Sequence, residues 1–375
     1  MNEPTILILG GYGNTGKLLA RFLLQESRAS VILAGRNQAR ADTAAAEFNR
    51  AFGGNRARGL ALDACDPQAL VAAMQGVTLL LAASSTAQYA ETTARACLAA
   101  GVDYFDIQFS AKKVAALRAL EAEIKNSGRC FVTDGGFHPG LPAALIRYAA
   151  TQFDELHGAN VGSVIKIDWS ALDIAASTVI EMAGEFSDFD MRFFQNGRWK
   201  KARMDIAMDT LTMDFGAPFG KQVCMPMFLE ELRPLPGLFP TLTDAGFFVG
   251  GFNPMVDWLL MPIMMLMLKI APQKGLEPAG KLLLWGLQKL THPPYDTRLK
   301  LEAAGLKNGE HQHIELMLRH ADGYVFTAIP AAATILQLLD GTLRKPGLFT
   351  QGELVEPARL LKDMERMGVD IRANM

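Results

Sequence analysis

Two clusters of residues in this 375-residue sequence carry recognisable chemistry. The first is Gly10-Gly11-Tyr12-Gly13-Asn14-Thr15-Gly16, where glycines at 11, 13 and 16, and at 10, 13 and 16, give two overlapping phosphate-cradling fingerprints. Glycine lets the backbone approach a pyrophosphate, whose charge the N-terminal N–H groups and dipole of the next helix stabilise. About 20 residues on, where an NAD site carries an acid for the ribose 2′-hydroxyl, the chain has Arg36-Asn37. A guanidinium there pairs with a 2′-phosphate, so the expected cofactor is NADP(H). Asp63 falls where its carboxylate reaches the adenine edge, and Ala83-Ser84 where small residues flank the nicotinamide. The second cluster is Gly135-Gly136-Phe137-His138-Pro139-Gly140. An imidazole in that turn, with a pKa near neutral, is the candidate proton donor to a bond that receives hydride. The alternative is a histidine that bonds only its own loop. Tyr89, Asp106 and Gln108 are expected beside it as substrate binders.

These residues need a frame, and the alternation of elements supplies one. Short apolar runs at Thr5–Leu9, Ser30–Ala34, Ala57–Leu62, Val77–Ala82, Asp103–Ile107 and Arg129–Thr133 read as strands buried on both faces. Helical stretches separate them at Lys17–Leu24, Gln38–Phe52, Gln68–Met74, Tyr89–Ala100 and Ala111–Asn126. The fold class is therefore α/β, opening with a doubly wound parallel Rossmann sheet.

With the Rossmann loop in place, further motifs carry a likeness. Ala34-Gly35-Arg36-Asn37, Ala96-Cys97 with Gly101, Tyr104 and Asp106, the turn ending Pro139-Gly140-Leu141, and Gly341, Pro346-Gly347 and Met367-Gly368 together resemble the saccharopine dehydrogenase/reductase-like NAD(P)-dependent oxidoreductases. The likeness is strongest over 1–150. It implies hydride transfer to or from a C=N, C=O or C=C bond. The chain departs from it at Gln108-Phe109-Ser110, where some relatives carry a glycine–glutamate pair, and at His138, where several carry an acid. Amino-acid substrates are therefore not implied.

Beyond Pro142 the sequence changes character. Val164–Trp169, Arg298–Gly305, His311–Arg319 and Tyr324–Ala328 read as strands of a mixed or antiparallel sheet, and Ala331–Gly341 as a helix packing back on the first domain. The expected division is a Rossmann domain at 1–140, with about 330–375 packing on it, and an inserted α+β domain at 141–329 for substrate and dimerisation. Ala245–Leu268 is long and apolar enough to span a bilayer by count, but Gly250-Gly251, Asn253-Pro254, Asp257 and Pro262 interrupt it. It reads as a pocket wall or dimer face, or as a segment that dips into a membrane surface or meets lipid. From 269 to 300, six Lys/Arg against two acids would suit anionic headgroups.

Composition narrows the field. Lys+Arg 37 against Asp+Glu 39 gives a net charge of −2, with no basic excess for nucleic acid. The four cysteines lie far apart, and His311 and His313 share a strand face without a third ligand, so no metal is expected. The opening Met-Asn-Glu-Pro has no basic stretch or cleavage site, as for a cytoplasmic chain, peripheral at a membrane surface if the apolar segment docks there. The expectation is an NADP(H)-dependent oxidoreductase acting on a lipophilic or bulky small molecule and forming a homodimer. The competing expectation is a non-catalytic NADP(H)-binding sensor or scaffold for a partner or membrane.

Overall fold

The computed structural model describes residues 3–171, 190–203, 209–253, 255–293 and 295–374. The chain divides into two compact units, 1–144 with 324–367, and 145–323 with 368–375.

In the first unit, β1 (Thr5–Leu9), β2 (Ser30–Gly35), β3 (Ala57–Ala61), β4 (Leu79–Ala82), β5 (Asp103–Asp106) and β6 (Cys130–Thr133) join strand Gly347–Thr350 in one parallel sheet. Its order is 347–350, β6, β5, β4, β1, β2, β3. The strands are continuously apolar because helices cover both faces: α1 (Asn14–Glu26), α2 (Gln38–Phe52), α3 (Pro67–Ala73), α4 (Ala90–Ala100), α5 (Ala111–Ala119) and α6 (Glu121–Asn126). Leu7, Ile32, Leu80, Tyr104 and Phe131 share one core. From β1 the chain builds outward through β2 and β3, then crosses to β4. That reversal opens a crevice beyond the carboxyl ends of β1 and β4.

Local chemistry sets the helix starts. The Asn37 side chain accepts from the Arg40 N–H at the head of α2, Asp66 caps α3 ahead of Pro67, and Ser110 caps α5. The single helix expected over 111–126 is two, because Leu120 leaves helical geometry (φ −97°, ψ 2°) with its side chain buried. The strand expected at Tyr324–Ala328 is instead the start of helix Gly323–Leu339. Its β-prone side chains lose to packing, since Phe326, Ile329 and Ala333 are buried at helical spacing.

Helix α7 (Leu141–Ala150), with Pro142 in its first turn, leads to the second unit. There β7 (Glu155–Lys166), β8 (Arg192–Gln195), β9 (Arg198–Lys201), β10 (Leu211–Asp214), β11 (Lys221–Pro226), β12 (Asp244–Gly250), β13 (Asp296–Lys307) and β14 (Glu310–His320) build a mixed sheet with Asp370–Asn374. The main path is β10-β11-β12-β7-β13-β14-(370–374), with β12 parallel to β7 and the other pairs antiparallel. The strand expected from Val164 begins earlier, at Glu155, where glycines and polar residues blur the alternation. The final strand, Asp370–Asn374, pairs with β14 in this sheet, so the chain from 368 belongs to the second unit, whereas the expectation set all of 330–375 with the first.

The apolar stretch 245–268 is divided by its own breaks. It contributes most of β12, a π-helical turn (Val256–Leu260) and most of helix Met261–Ile270, while Pro254 lies outside the described residues. Among the described residues no helix is long and apolar enough to cross a membrane.

Candidate functional site

The glycine loop leaves β1 at the reversal point. Gly10 has φ +79°, and a Cβ there would stand 2.8 Å from the Ser84 Cβ at the end of β4. A Cβ on Gly16 would run into the Gly10 carbonyl. Glycine at these two positions keeps the loop tight and leaves the first-turn N–H groups of α1, at Asn14, Thr15 and Gly16, facing outward without intrahelical acceptors. A pyrophosphate needs that cradle of donors. The loop also turns on itself, Gly13 N donating to Gly10 O at 2.9 Å and Gly11 N to Ile8 O at 3.1 Å.

At the end of β2, the Tyr12 ring lies where a side chain on Gly35 would stand. Its hydroxyl accepts from the Asn37 N–H at 3.0 Å, and the Arg40 guanidinium carbon lies 5.0 Å from its ring centre. Arg36 is exposed beside them. Two guanidiniums, Arg36 and Arg40, thus stand exposed at the end of β2. Sequence reading found the first and missed the second, although a residue three beyond the Asn37 cap must lie on the same helix mouth. Asp63 is exposed just past β3. The Cys65 N–H donates to its carboxylate at 3.1 Å and lowers its pKa.

The ends of β4, β5 and β6 are tied by buried polar groups. Lys113, wholly buried on α5, places Nζ 2.6 Å from Asp106 Oδ1 and 2.7 Å from Asp134 Oδ1, and also donates to the Gln108 carbonyl. Burial pulls the Lys113 pKa down, but the two carboxylates reverse this and raise it. Thr133 Oγ1 donates to Asp106 Oδ2 at 2.7 Å, and the Gln108 N–H to Oδ1 at 3.2 Å. Burial, then the neighbouring Asp106, pushes the Tyr104 hydroxyl well above its usual pKa. Asp106 is therefore an interior counter-ion and does not reach a substrate. Gln108 likewise turns its amide to Ser84 O and to Thr86 Oγ1 (3.1 Å), fixing the loop after β4. The Ser84 and Thr86 hydroxyls meet at 3.0 Å. Tyr89 packs its ring against the core as a partly buried side chain, while Thr93 donates to its carbonyl. Lys113 and Asp134 were not found in the sequence. A lysine three residues beyond the Ser110 cap, on the inward face of its helix, was the available signal.

The turn after β6 is held by Gln351. Gly136 N donates to its Oε1 (3.1 Å), and its Nε2 donates to Gly136 O (2.9 Å). His138 follows, half-buried, its ring 3.9 Å from that of Phe137, which stacks on Phe326 at 4.9 Å. Burial pushes the His138 pKa down to about 4, correcting the near-neutral value expected. Burial therefore disfavours the imidazolium form that a proton donor needs.

In the second unit a cavity of about 610 Å³ lies over β13 and β14, but its charges are engaged with one another. Arg298 and Arg319 pair with Asp296, and Lys300 with Glu302 and Glu315. Among the described residues no group of three or more His, Cys, Asp or Glu is placed to hold a metal ion. His311 and His313 are exposed on β14, and the four cysteines are free.

Residues 6–132 match the family described as the saccharopine dehydrogenase NADP binding domain. No curated protein matches the chain. Among solved structures, apo saccharopine dehydrogenase (L-Glu forming) from Saccharomyces cerevisiae is 13% identical, covers 99% of this chain and 100% of its own, and has a TM-score of 0.71. A variant of meso-dapdh from Clostridium tetani, also 13% identical, covers 96% of each chain with a TM-score of 0.47. The first of these shows the shared fold. Residues 6–132 thus match an NADP-binding domain, with NADP(H) as its cofactor, and the chain as a whole shares the fold of the yeast enzyme.

Proposed function

We propose that the protein transfers hydride between NADP(H) and a C=N, C=O or C=C bond of a lipophilic small molecule. The observation that carries this reading is the glycine-built loop packed against Ser84 at the reversal point, with Arg36 and Arg40 at the mouth of β2. When bound, NADPH supplies the hydride. The chain's own part is to bind and orient. The α1 N-terminus takes the pyrophosphate, Arg36 and Arg40 take the 2′-phosphate, and the loop Ala83–Thr86, braced by Gln108, backs the nicotinamide end. His138 borders that end as a neutral wall, so the second proton comes from water or from the substrate. Loss of the family's acids, and the apolar helices of the second unit, support a lipophilic substrate over a zwitterion. A homodimer and a cytoplasmic location complete the proposal. The free cysteines suit a reducing compartment.

The test is consumption of NADPH, read as loss of reduced-nicotinamide absorbance, with medium-chain enones, ketones and imines set against amino acid–keto acid pairs. Turnover of the apolar set alone is expected, and turnover of the zwitterionic set alone refutes the substrate class. The buried pairing of Asp106, Lys113 and Asp134 gives the binding-only reading its support. NADPH that binds and is consumed with no compound would favour that reading.

A further inference from the structure

The helices Met261–Ile270 and Leu276–Leu290 form a hairpin that is apolar on two sides. One side is accounted for: Val256, Leu260, Met264 and Leu268 close on Leu283 and Leu287. The other is bare. Met255, Leu259, Ile263, Leu266 and Ile270 recur at spacings of three or four residues along one helical face, and Leu266 is 57% and Ile270 75% exposed. Of the nine large exposed hydrophobic side chains among the described residues, five lie on these two helices and two more, Met255 and Leu259, on the turn that leads into them. A helix apolar all round normally has both faces covered.

The rim says what covers the second face. Residues 255–290 carry four lysines, at 269, 274, 281 and 289, and two acids. Of the acids, Asp257 is half-buried and accepts from the Phe252 N–H, and Glu277 is paired with Lys281 at 2.6 Å. Trp285, half exposed, sits one helical turn from Lys281 and from Lys289. An apolar stripe edged by lysines, with an amphipathic indole beside it, complements a surface that is oily beneath and anionic above. A second copy of the hairpin would set lysine against lysine.

We propose that this hairpin docks in the plane of an anionic lipid bilayer, with the Met255–Ile270 stripe at the acyl boundary and the lysines among the headgroups. The contact is peripheral, since no described helix is long and apolar enough to span. The methionines on this hairpin give the stripe a pliant surface. For its purpose, delivery of an apolar substrate, the inference rests on the function proposed above. The docking itself does not.

Flotation of the whole protein with phosphatidylcholine vesicles, with and without phosphatidylglycerol, tests it. Binding should require the anionic lipid and fall as salt is raised. Each of Lys269→Gln and Lys289→Gln should weaken it roughly fivefold, and Ile263→Asp with Leu266→Asp should abolish it while NADPH titration is unchanged. The four positions are exposed, so folding is retained. No flotation, or flotation indifferent to anionic lipid and to these substitutions, overturns the proposal. So does a dimer in sedimentation that Leu266→Asp dissociates while vesicles are ignored. Flotation by a protein that consumes no NADPH leaves the docking standing and refutes the substrate reading instead.

Discussion

Replacing Lys113 with methionine removes the one cation from a buried cluster and leaves its shape nearly intact. Asp106 and Asp134 then face each other without the ammonium that lies 2.6 and 2.7 Å from them. Two carboxylates about 5 Å apart in an effective dielectric of about 20 repel by about 3 kcal/mol. Breaking a buried ion pair on one side costs about 3–5 kcal/mol in general, so Lys113→Met should destabilise the first unit by about that amount. The pH dependence carries a sign. In the variant one carboxylate holds a proton far above the usual range in the folded state only, so the variant regains stability as pH falls from neutral. In the intact protein the raised Lys113 pKa stabilises the fold below the usual lysine value, and that contribution is lost as pH rises through the folded-state value. All four tryptophans lie in the second unit. The assay is therefore urea unfolding followed by circular dichroism, at pH 5 and at neutral pH. Joint replacement by Asp106→Asn, Lys113→Met and Asp134→Asn should recover most of the loss, because no unpaired charge remains. A loss below about 1 kcal/mol for Lys113→Met alone, or one indifferent to pH, would refute the assignment of this cluster as the brace of the site.

Three further outcomes are expected. Arg36→Asp should erase the preference for NADPH and Arg40→Ala reduce it about tenfold, both read by fluorescence titration. For His138, the lowered pKa means the unfolded chain takes up a proton that the folded chain refuses. Stability should therefore fall as pH drops from about 6.5 to about 4, by about 2 kcal/mol after allowing for partial exposure, and His138→Gln should flatten that slope in thermal melts across the same window. Gly16→Ala should abolish NADPH binding without unfolding the second unit, since the methyl meets the Gly10 carbonyl; calorimetric titration with circular dichroism checks both halves.

Much of the first unit was legible because its information is local. Strands buried on both faces read as unbroken apolar runs, and β1 and α2 begin and end where the sequence places them. The glycine loop was legible because its close contacts admit no side chain. What escaped depends on partners far away in the chain. Lys113 looks like a surface lysine until Asp134, 21 residues on, meets it inside the fold. Asp106 looks like a presented acid until Lys113 and Thr133 enclose it. The His138 pKa follows from burial, and the turn that carries it is pinned by Gln351, which arrives from the far end of the chain. Tyr324–Ala328 has strand-forming residues, yet Phe326 and Ile329 make it helix by where they pack. The last strand, at 370–374, is short and exposed on most of its length, and only its ladder with β14 reveals it.

The proposed function requires that the mouth of β2 select the 2′-phosphate. Dissociation constants for NADPH and NADH with the unmodified protein, measured by fluorescence titration at fixed ionic strength, test it most directly. NADPH should bind tighter by about tenfold or more; equal constants, or a preference for NADH, would mean that Arg36 and Arg40 do not read the 2′-phosphate.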